Sequence, residues 1–310
     1  MRIAIIGQQD FGKSVLEAFL ARGDEIAGVF CAPEKEGAKA DPLKAAALEK
    51  GLEVFQFHSL RAPDAHDAMK ALGAELGIMA FVLQFAPDSL VRLPQRGTIQ
   101  YHPSLLPKYR GPSSINWPII KGETKTGLTI FRPTEGLDEG PIVLQKETPI
   151  GPDDTLGSVY FERLFPIGVQ AMLEAADLVA AGKHKETVQD ERQASYEGWC
   201  RAAEARINWA NHVDFVYDLI RGTNPAPGAW TTLNGKKLQI FDARKHRFRT
   251  FGAVKGKIGE VSEMTPTSFF VTAQGGRIEV LKAKAEDGKK LSAPELAASS
   301  GLGAGTLLGT

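Results

Sequence analysis

Along the first hundred residues, short apolar runs alternate with longer stretches in which apolar residues return every three or four positions. The runs are Arg2 to Ile6, Glu25 to Cys31, Glu53 to Phe57, Leu76 to Ala80 and Thr98 to Tyr101. Each has the length of a strand, and helical stretches between strands argue for a parallel sheet with crossover helices. Gly127 to Phe131 and Ile142 to Glu147 read as two further strands. From Thr155 to Ala181, residues Leu156, Val159, Tyr160, Leu164, Ile167, Met172, Ala175 and Leu178 fall at helical spacing, with Pro166 as the expected break. The polar stretch from Gly182 to Glu204 reads as a linker. Beyond it come one helix, Val213 to Ile220, and the short strands Leu238 to Phe241, Gly259 to Val261, Ser268 to Thr272 and Arg277 to Leu281. That is the pattern of a small β-rich barrel. The tail from Ala297 to Thr310, rich in Gly, Ser and Ala, is expected to be flexible. The pattern therefore predicts an α/β chain with a parallel-sheet domain over 1–182, a linker over 183–204, and a small barrel-like domain with a flexible tail over 205–310.

Composition narrows the class. With 310 residues, 43% of them hydrophobic, and 37 basic against 37 acidic side chains, the chain is long enough for two cores. Neither a disordered polyelectrolyte nor a nucleic-acid binder acting over its whole surface is indicated. The neutral total hides an asymmetry, because from Ala205 onward 15 basic residues face 9 acidic ones, leaving 22 against 28 before it. The cluster Arg244-Lys245-His246-Arg247-Phe248-Arg249 contributes; it reads first as a solvated strand end, with an anion or RNA contact as the alternative. Cys31 and Cys200 are too few for a disulfide framework and have no metal-ligand spacing. The apolar start is too short for a signal peptide, and no run reaches the roughly 20 apolar residues of a membrane helix. A reduced, cytoplasmic setting is expected. The first turn, Gly7-Gln8-Gln9-Asp10-Phe11-Gly12, lacks the G-x-G-x-x-G spacing, and Cys31-Ala32-Pro33 stands where a ribose-binding acid would be. NAD is not expected, and the glycines are read as permitting a tight turn.

Candidate chemistry sits in two loops. Gln100-Tyr101-His102-Pro103-Ser104-Leu105-Leu106-Pro107-Lys108-Tyr109-Arg110-Gly111 places an imidazole just past a strand, with prolines stiffening the loop beyond it. Gly136-Leu137-Asp138-Glu139-Gly140 sets a carboxylate between glycines. A histidine relays protons near neutral pH, and a neighbouring carboxylate fixes its tautomer and holds a nucleophile. Taken singly, His102 reads as a structural residue and Asp138 as an ordinary turn aspartate.

Together these residues resemble a known family. His102-Pro103-Ser104-Leu105-Leu106-Pro107 with Arg110-Gly111, and Gly136-Leu137-Asp138, are similar to the signatures of the 10-formyltetrahydrofolate-dependent formyltransferases and hydrolases. Lys39-Ala40-Asp41-Pro42-Leu43, Ser114-Ile115-Asn116-Trp117, Ile207-Asn208-Trp209, and Ile220-Arg221-Gly222 with Pro227-Gly228-Ala229-Trp230 resemble the hydrolase portion of the 10-formyltetrahydrofolate dehydrogenases. The resemblance implies a Rossmann-like catalytic domain with a small OB-like C-terminal domain, and 10-formyltetrahydrofolate as formyl donor, without metal or NAD. It makes His102 and Asp138 the catalytic pair and puts Gln84, Phe85 and Ala86, together with Asp138, on folate-binding positions. Many members place an asparagine two residues before the histidine to stabilise the oxyanion; Gln100 stands there, and in the dehydrogenases an apolar residue does. Ser104 is expected to brace its loop, while Arg110 either meets an anion or caps the loop. Hydrolysis to tetrahydrofolate and formate is the expected reaction. Transfer to an amine, on methionyl-tRNA or an amino sugar, is the alternative; the loop from Cys31 to Asp41 is short and mixed in charge, unlike the basic insertion of the tRNA enzymes. A folate-binding protein without catalysis is disfavoured by the intact pair.

Overall fold

The computed structural model describes residues 1–248 and 256–309, and the chain divides into two compact units. The first comprises Met1–Gly111, Gly127–Thr148 and Phe161–Tyr196; the second comprises Pro112–Thr126, Pro149–Tyr160 and the chain from Glu197 on.

The first unit is built on strands β1 (Arg2–Gly7), β2 (Glu25–Cys31), β3 (Val54–Gln56), β4 (Leu76–Ala80), β5 (Thr98–His102), β6 (Lys125–Phe131) and β7 (Ile142–Pro149), in the order β3-β2-β1-β4-β5-β6-β7. From β3 to β5 the pairs are parallel. The intervening helices are α1 (Gln9–Arg22), α2 (Pro42–Glu49), α3 (Pro63–Leu72) and α4 (Asp88–Val91). Every residue of β4 is buried, as is all of β1 after Arg2. Central parallel strands are covered on both faces, and hence carry unbroken apolar runs. Gly7 ends β1 where a Cβ would run into the Ala80 carbonyl oxygen, so only glycine lets the chain turn there into α1.

The sheet is mixed, and not parallel throughout as predicted. His102 pairs with Thr129 and Gln100 with Phe131 in antiparallel register. A parallel return needs a crossover along the sheet. The connection after β5 instead contains only α5 (Asn116–Ile120), which packs in the second unit against α8 (Val213–Gly222). Farther along, α6 (Leu156–Val159) runs into a π-helical turn, Tyr160–Leu164, and then α7 (Phe165–Ala180). Pro166 lies in the first turn of α7, where its missing N–H costs nothing, so the irregularity falls just before it.

The second unit carries β8 (Ala229–Leu233), β9 (Lys236–Arg247), β10 (Val261–Met264), β11 (Phe269–Ala273), β12 (Gly276–Ala285), β13 (Lys290–Ser292) and α9 (Ala293–Ser300). Its antiparallel sheet runs β10-β11-β12-β9-β8, with β13 also paired to β12. Val213, Val216, Tyr217 and Ile220 of α8 join Ile240, Val271, Ile278 and Val280 in one core.

Residues 297–309, expected to be flexible, are packed and hydrogen-bonded. Ser292 forms a capping box with Glu295 that starts α9, and Leu302 and Leu308 are buried in the same core. Backbone bonds join Val261 and Gly305, Val261 and Thr306, Gly259 and Leu308, and Thr232 and Gly309. A composition of small residues suggested freedom; two leucines and these bonds fix the segment in place. Among the described residues no helix is long and apolar enough to cross a membrane.

Candidate active site

His102 ends β5 and is buried. Its Nε2 lies 2.8 Å from the Tyr109 carbonyl oxygen, which can only accept, so Nε2 carries the proton and Nδ1 is the nitrogen left for chemistry. Nδ1 faces Asp138, 3.6 Å from Oδ2. That distance is too long for a direct hydrogen bond. Asp138 Oδ2 instead accepts from the Gly111 amide at 2.8 Å, and Oδ1 bonds to no described residue. Tyr109 thus holds the imidazole and Gly111 the carboxylate. Both Tyr109 and Asp138 have positive φ, 59° and 54°, which side-chain-bearing residues adopt only when their surroundings require it.

Those surroundings are dense in hydrogen bonds. Thr129 Oγ1 of β6 donates to Ser104 O at 2.7 Å and accepts from Leu106 N, while Ser104 Oγ donates to Lys108 O. Ser104 braces the loop as expected. Tyr109 N donates to Ser195 Oγ and Arg110 N to Ser195 O, both at 2.9 Å. The Arg110 side chain is buried: its guanidinium forks onto the Glu191 carboxylate at 2.6 and 2.9 Å, and also reaches Gln189 Oε1. The bonds to Arg110 hold the Glu191 carboxyl below its ordinary range, and the bonds to Glu191 push Arg110 up. Both readings of Arg110 describe its contacts, because the anion it meets is the chain's own Glu191 and the bonds to Gln189 brace the loop. Gln189 and Ser195 come from the stretch read as a linker, and local pattern gave no sign of them.

Gln100 lies two residues before His102 and therefore on the same face of β5. It is half-buried, and its amide bonds to no described residue. The segment after β4 places the other candidates. Gln84 Nε2 donates to the carbonyls of Phe57 and His58 at 2.8 and 3.0 Å, tying down the chain after β3. Phe85 is 40% exposed with the Arg61 guanidinium 4.3 Å above its ring, and Phe81 and Leu83 are also exposed. Ala86 packs its methyl into the core beside Leu90 and Val91, leaving its backbone for any ligand. Asp88 N donates to Glu135 Oε1 at 3.0 Å, which links this segment to the loop that carries Asp138 and the exposed Leu137. The site therefore gathers at the carboxyl ends of β4 and β5, where open α/β sheets bind ligands.

Other features lie outside it. At the start of α1, the Gln9 amide donates to both Asp41 carboxylate oxygens at 2.9 Å, and Leu43 N donates to Oδ1, so an internal anion sits where a ligand phosphate would. In the basic cluster, Lys245 and Arg247 both pair with Asp214, and His246 pairs with Glu279, while Arg249 lies outside the described residues. A cavity of about 440 Å³ in the second unit is lined by Tyr217, Arg221, Arg244 and Lys245 among others, and by none of the candidate residues. Burial pushes both thiols up to about 11, which removes Cys31 and Cys200 as nucleophiles. No group of three or more potential metal ligands occurs among the described residues.

The family described as formyl transferase matches residues 1–176, and its C-terminal domain matches residues 200–301. The cytosolic 10-formyltetrahydrofolate dehydrogenase of Mus musculus is 43% identical over 248 residues, covering 78% of this chain but only 27% of that protein, so the chain spans about a quarter of such relatives. The methionyl-tRNA formyltransferase of Syntrophus aciditrophicus is 34% identical over 312 residues, 99% of this chain and 98% of that one. HypX from Aquifex aeolicus, solved with tetrahydrofolic acid, superposes with a TM-score of 0.67 at 20% identity, over 98% of this chain and 48% of that one. With both of its segments matched and the full length shared with such a relative, the chain belongs to the formyl transferase family.

Proposed function

We propose that the chain hydrolyses 10-formyltetrahydrofolate to tetrahydrofolate and formate, with water as the formyl acceptor. The observation that carries this reading is the facing of His102 Nδ1 and Asp138 at 3.6 Å, each side chain fixed from behind by the same short segment. A water between them gives one proton toward Nδ1 and is held by the carboxylate. Its oxygen bonds to the formyl carbon as the proton passes to His102, and the developing imidazolium is stabilised by Asp138. The carbon–nitrogen bond then breaks with that proton delivered to the folate nitrogen, and the formic acid set free gives its remaining acidic proton to solvent, leaving formate. Gln100, on the same strand face with an uncommitted amide, is the available donor toward the oxyanion, at one methylene's remove from an asparagine.

Folate binding falls to Phe81, Leu83, Phe85 and Leu137, exposed apolar side chains on the segment after β4 and the loop of Asp138, and to the backbone at Ala86. A flat pterin needs such apolar walls with backbone groups at its polar edge. Gln84 serves by holding the segment in place. The second unit, whose outer strands are both bonded by the C-terminal segment, is read as a small OB-like barrel. Two buried free thiols fit a reduced, cytoplasmic setting.

Water is favoured over tRNA by two observations. The loop after β2 is committed internally, with Glu34 accepting from Asp41 N, Gln56 and Lys44, and the described basic cluster is largely neutralised by Asp214 and Glu279. The end-to-end similarity to a methionyl-tRNA formyltransferase favours the second reading, transfer to an amine. Incubating the purified protein with 10-formyltetrahydrofolate, with and without charged methionyl-tRNA, separates the two. Formate should appear at the same rate in both. Formyl-methionyl-tRNA at the expense of formate would replace hydrolysis by transfer.

A further inference from the structure

The structure holds a residue that ties the loop of Asp138 to Arg110. Gln189 is 5% exposed. Its Nε2 donates to the carbonyl oxygens of Asp138 at 2.8 Å and Gly140 at 2.7 Å, so both hydrogens of one amide grip the backbone of the loop on either side of Glu139. Its Oε1 accepts from Arg110 Nη2 at 2.9 Å and from Nε at 3.2 Å. Arg110 in turn lies between Tyr109, whose carbonyl accepts from His102 Nε2, and Gly111, whose amide donates to the Asp138 carboxylate. One amide thus closes a circuit through both halves of the pair, and it bonds to Asp138 on the side away from the reacting carboxylate.

We infer that Gln189 is a positioning residue for the formyl-group chemistry: it holds Asp138 in its positive-φ conformation and sets the carboxylate against His102 Nδ1. The inference rests on the reading of that pair as the catalytic one. A positive φ at an aspartate costs free energy that neighbours must offset, and four buried bonds from one side chain, two of them charge-assisted, are suited to that. Displacement of a reacting group by about 1 Å is enough to cost on the order of a hundredfold in rate.

The test replaces Gln189 by Met, which keeps its length and removes all four bonds, and by Glu, which keeps the acceptor toward Arg110 but sets oxygen against two carbonyls. Formate release should fall about tenfold to a hundredfold in kcat with KM for 10-formyltetrahydrofolate changed by less than about twofold. In an Asp138→Asn background the same replacements should cost less than about twofold, because Asp138 is what Gln189 acts through. Hydrogen exchange at the Gly111 amide should accelerate in either variant, whereas the Ile5 amide in β1 should not change. This last readout needs no turnover, so it stands even if the protein releases no formate, a result that would fall on the proposed function alone. An equal loss with and without the Asp138 carboxylate, an unchanged kcat, or an unchanged Gly111 amide would overturn the inference. If Gln189→Met does not fold, the same outcomes are read from Gln189→Glu.

Discussion

At the scale of single residues, His102 and Asp138 are the two groups on which the proposed hydrolysis depends for moving and holding a proton. Replacing either by Ala should lower turnover at least about a hundredfold with little change in folate affinity, the usual scale for positioned acid–base groups. Steady-state formate release checks this, and near-parental turnover in either variant would remove that residue from the mechanism. Gln100 is a separate case. Its amide bonds to no described residue but lies one methylene off an asparagine's reach, and the dehydrogenase-like pattern tolerates an apolar residue there. Gln100→Leu is therefore expected to cost less than about tenfold in kcat, well short of the roughly two to four kcal/mol of an essential oxyanion donor. A loss near a thousandfold would make it one.

Among the secondary-structure elements, the legible ones were those whose burial leaves a local trace. The observed limits of β2 and β4 are those of their runs, since beyond the exposed Glu25 that opens β2 both are largely buried, and strands covered on both faces carry apolar runs. β3 is shorter than its run and half-buried throughout, as an edge strand is. β9 extends past its apolar run Leu238 to Phe241 as far as Arg247, through the basic residues read as a solvated strand end. The direction of β6 left no local trace, nor did the long-range partners Gln189 and Ser195, whose bonding is decided by chain returning from far along the sequence. The connection after β2 yields a prediction at this scale. Glu34 accepts from the Asp41 amide, from Gln56 of β3 and from Lys44 of α2, and these bonds, led by the Asp41 amide, hold its carboxyl down to about 2. A carboxyl lowered in the folded chain stabilises it fully above its ordinary value, near 4.5, and progressively less as pH falls toward about 2. Glu34→Gln should thus destabilise by about 1 kcal/mol at pH 6, and the gap to the parent should shrink steadily below about pH 5. Urea denaturation across that range measures it; a constant gap would assign the effect to packing.

For the whole molecule, division into two units assigns the candidate chemistry to the first alone, since every candidate residue and each of their described bonds belongs there. The charge asymmetry read from the sequence belongs to the second unit, where Asp214 and Glu279 absorb much of the basic cluster. The C-terminal segment has a further consequence. β10 and β8 are the outer strands of their sheet, and an outer strand with free N–H and C=O groups is a template for any other extended chain. Residues 305–309 occupy those groups at Val261, beside β10 at Gly259, and at Thr232. The segment therefore acts as a guard against self-association. A chain shortened to end at Leu302 keeps the first of the two buried leucines and loses the guard, so it should form aggregates whose size grows with protein concentration in light scattering, while the full chain at the same concentrations does not.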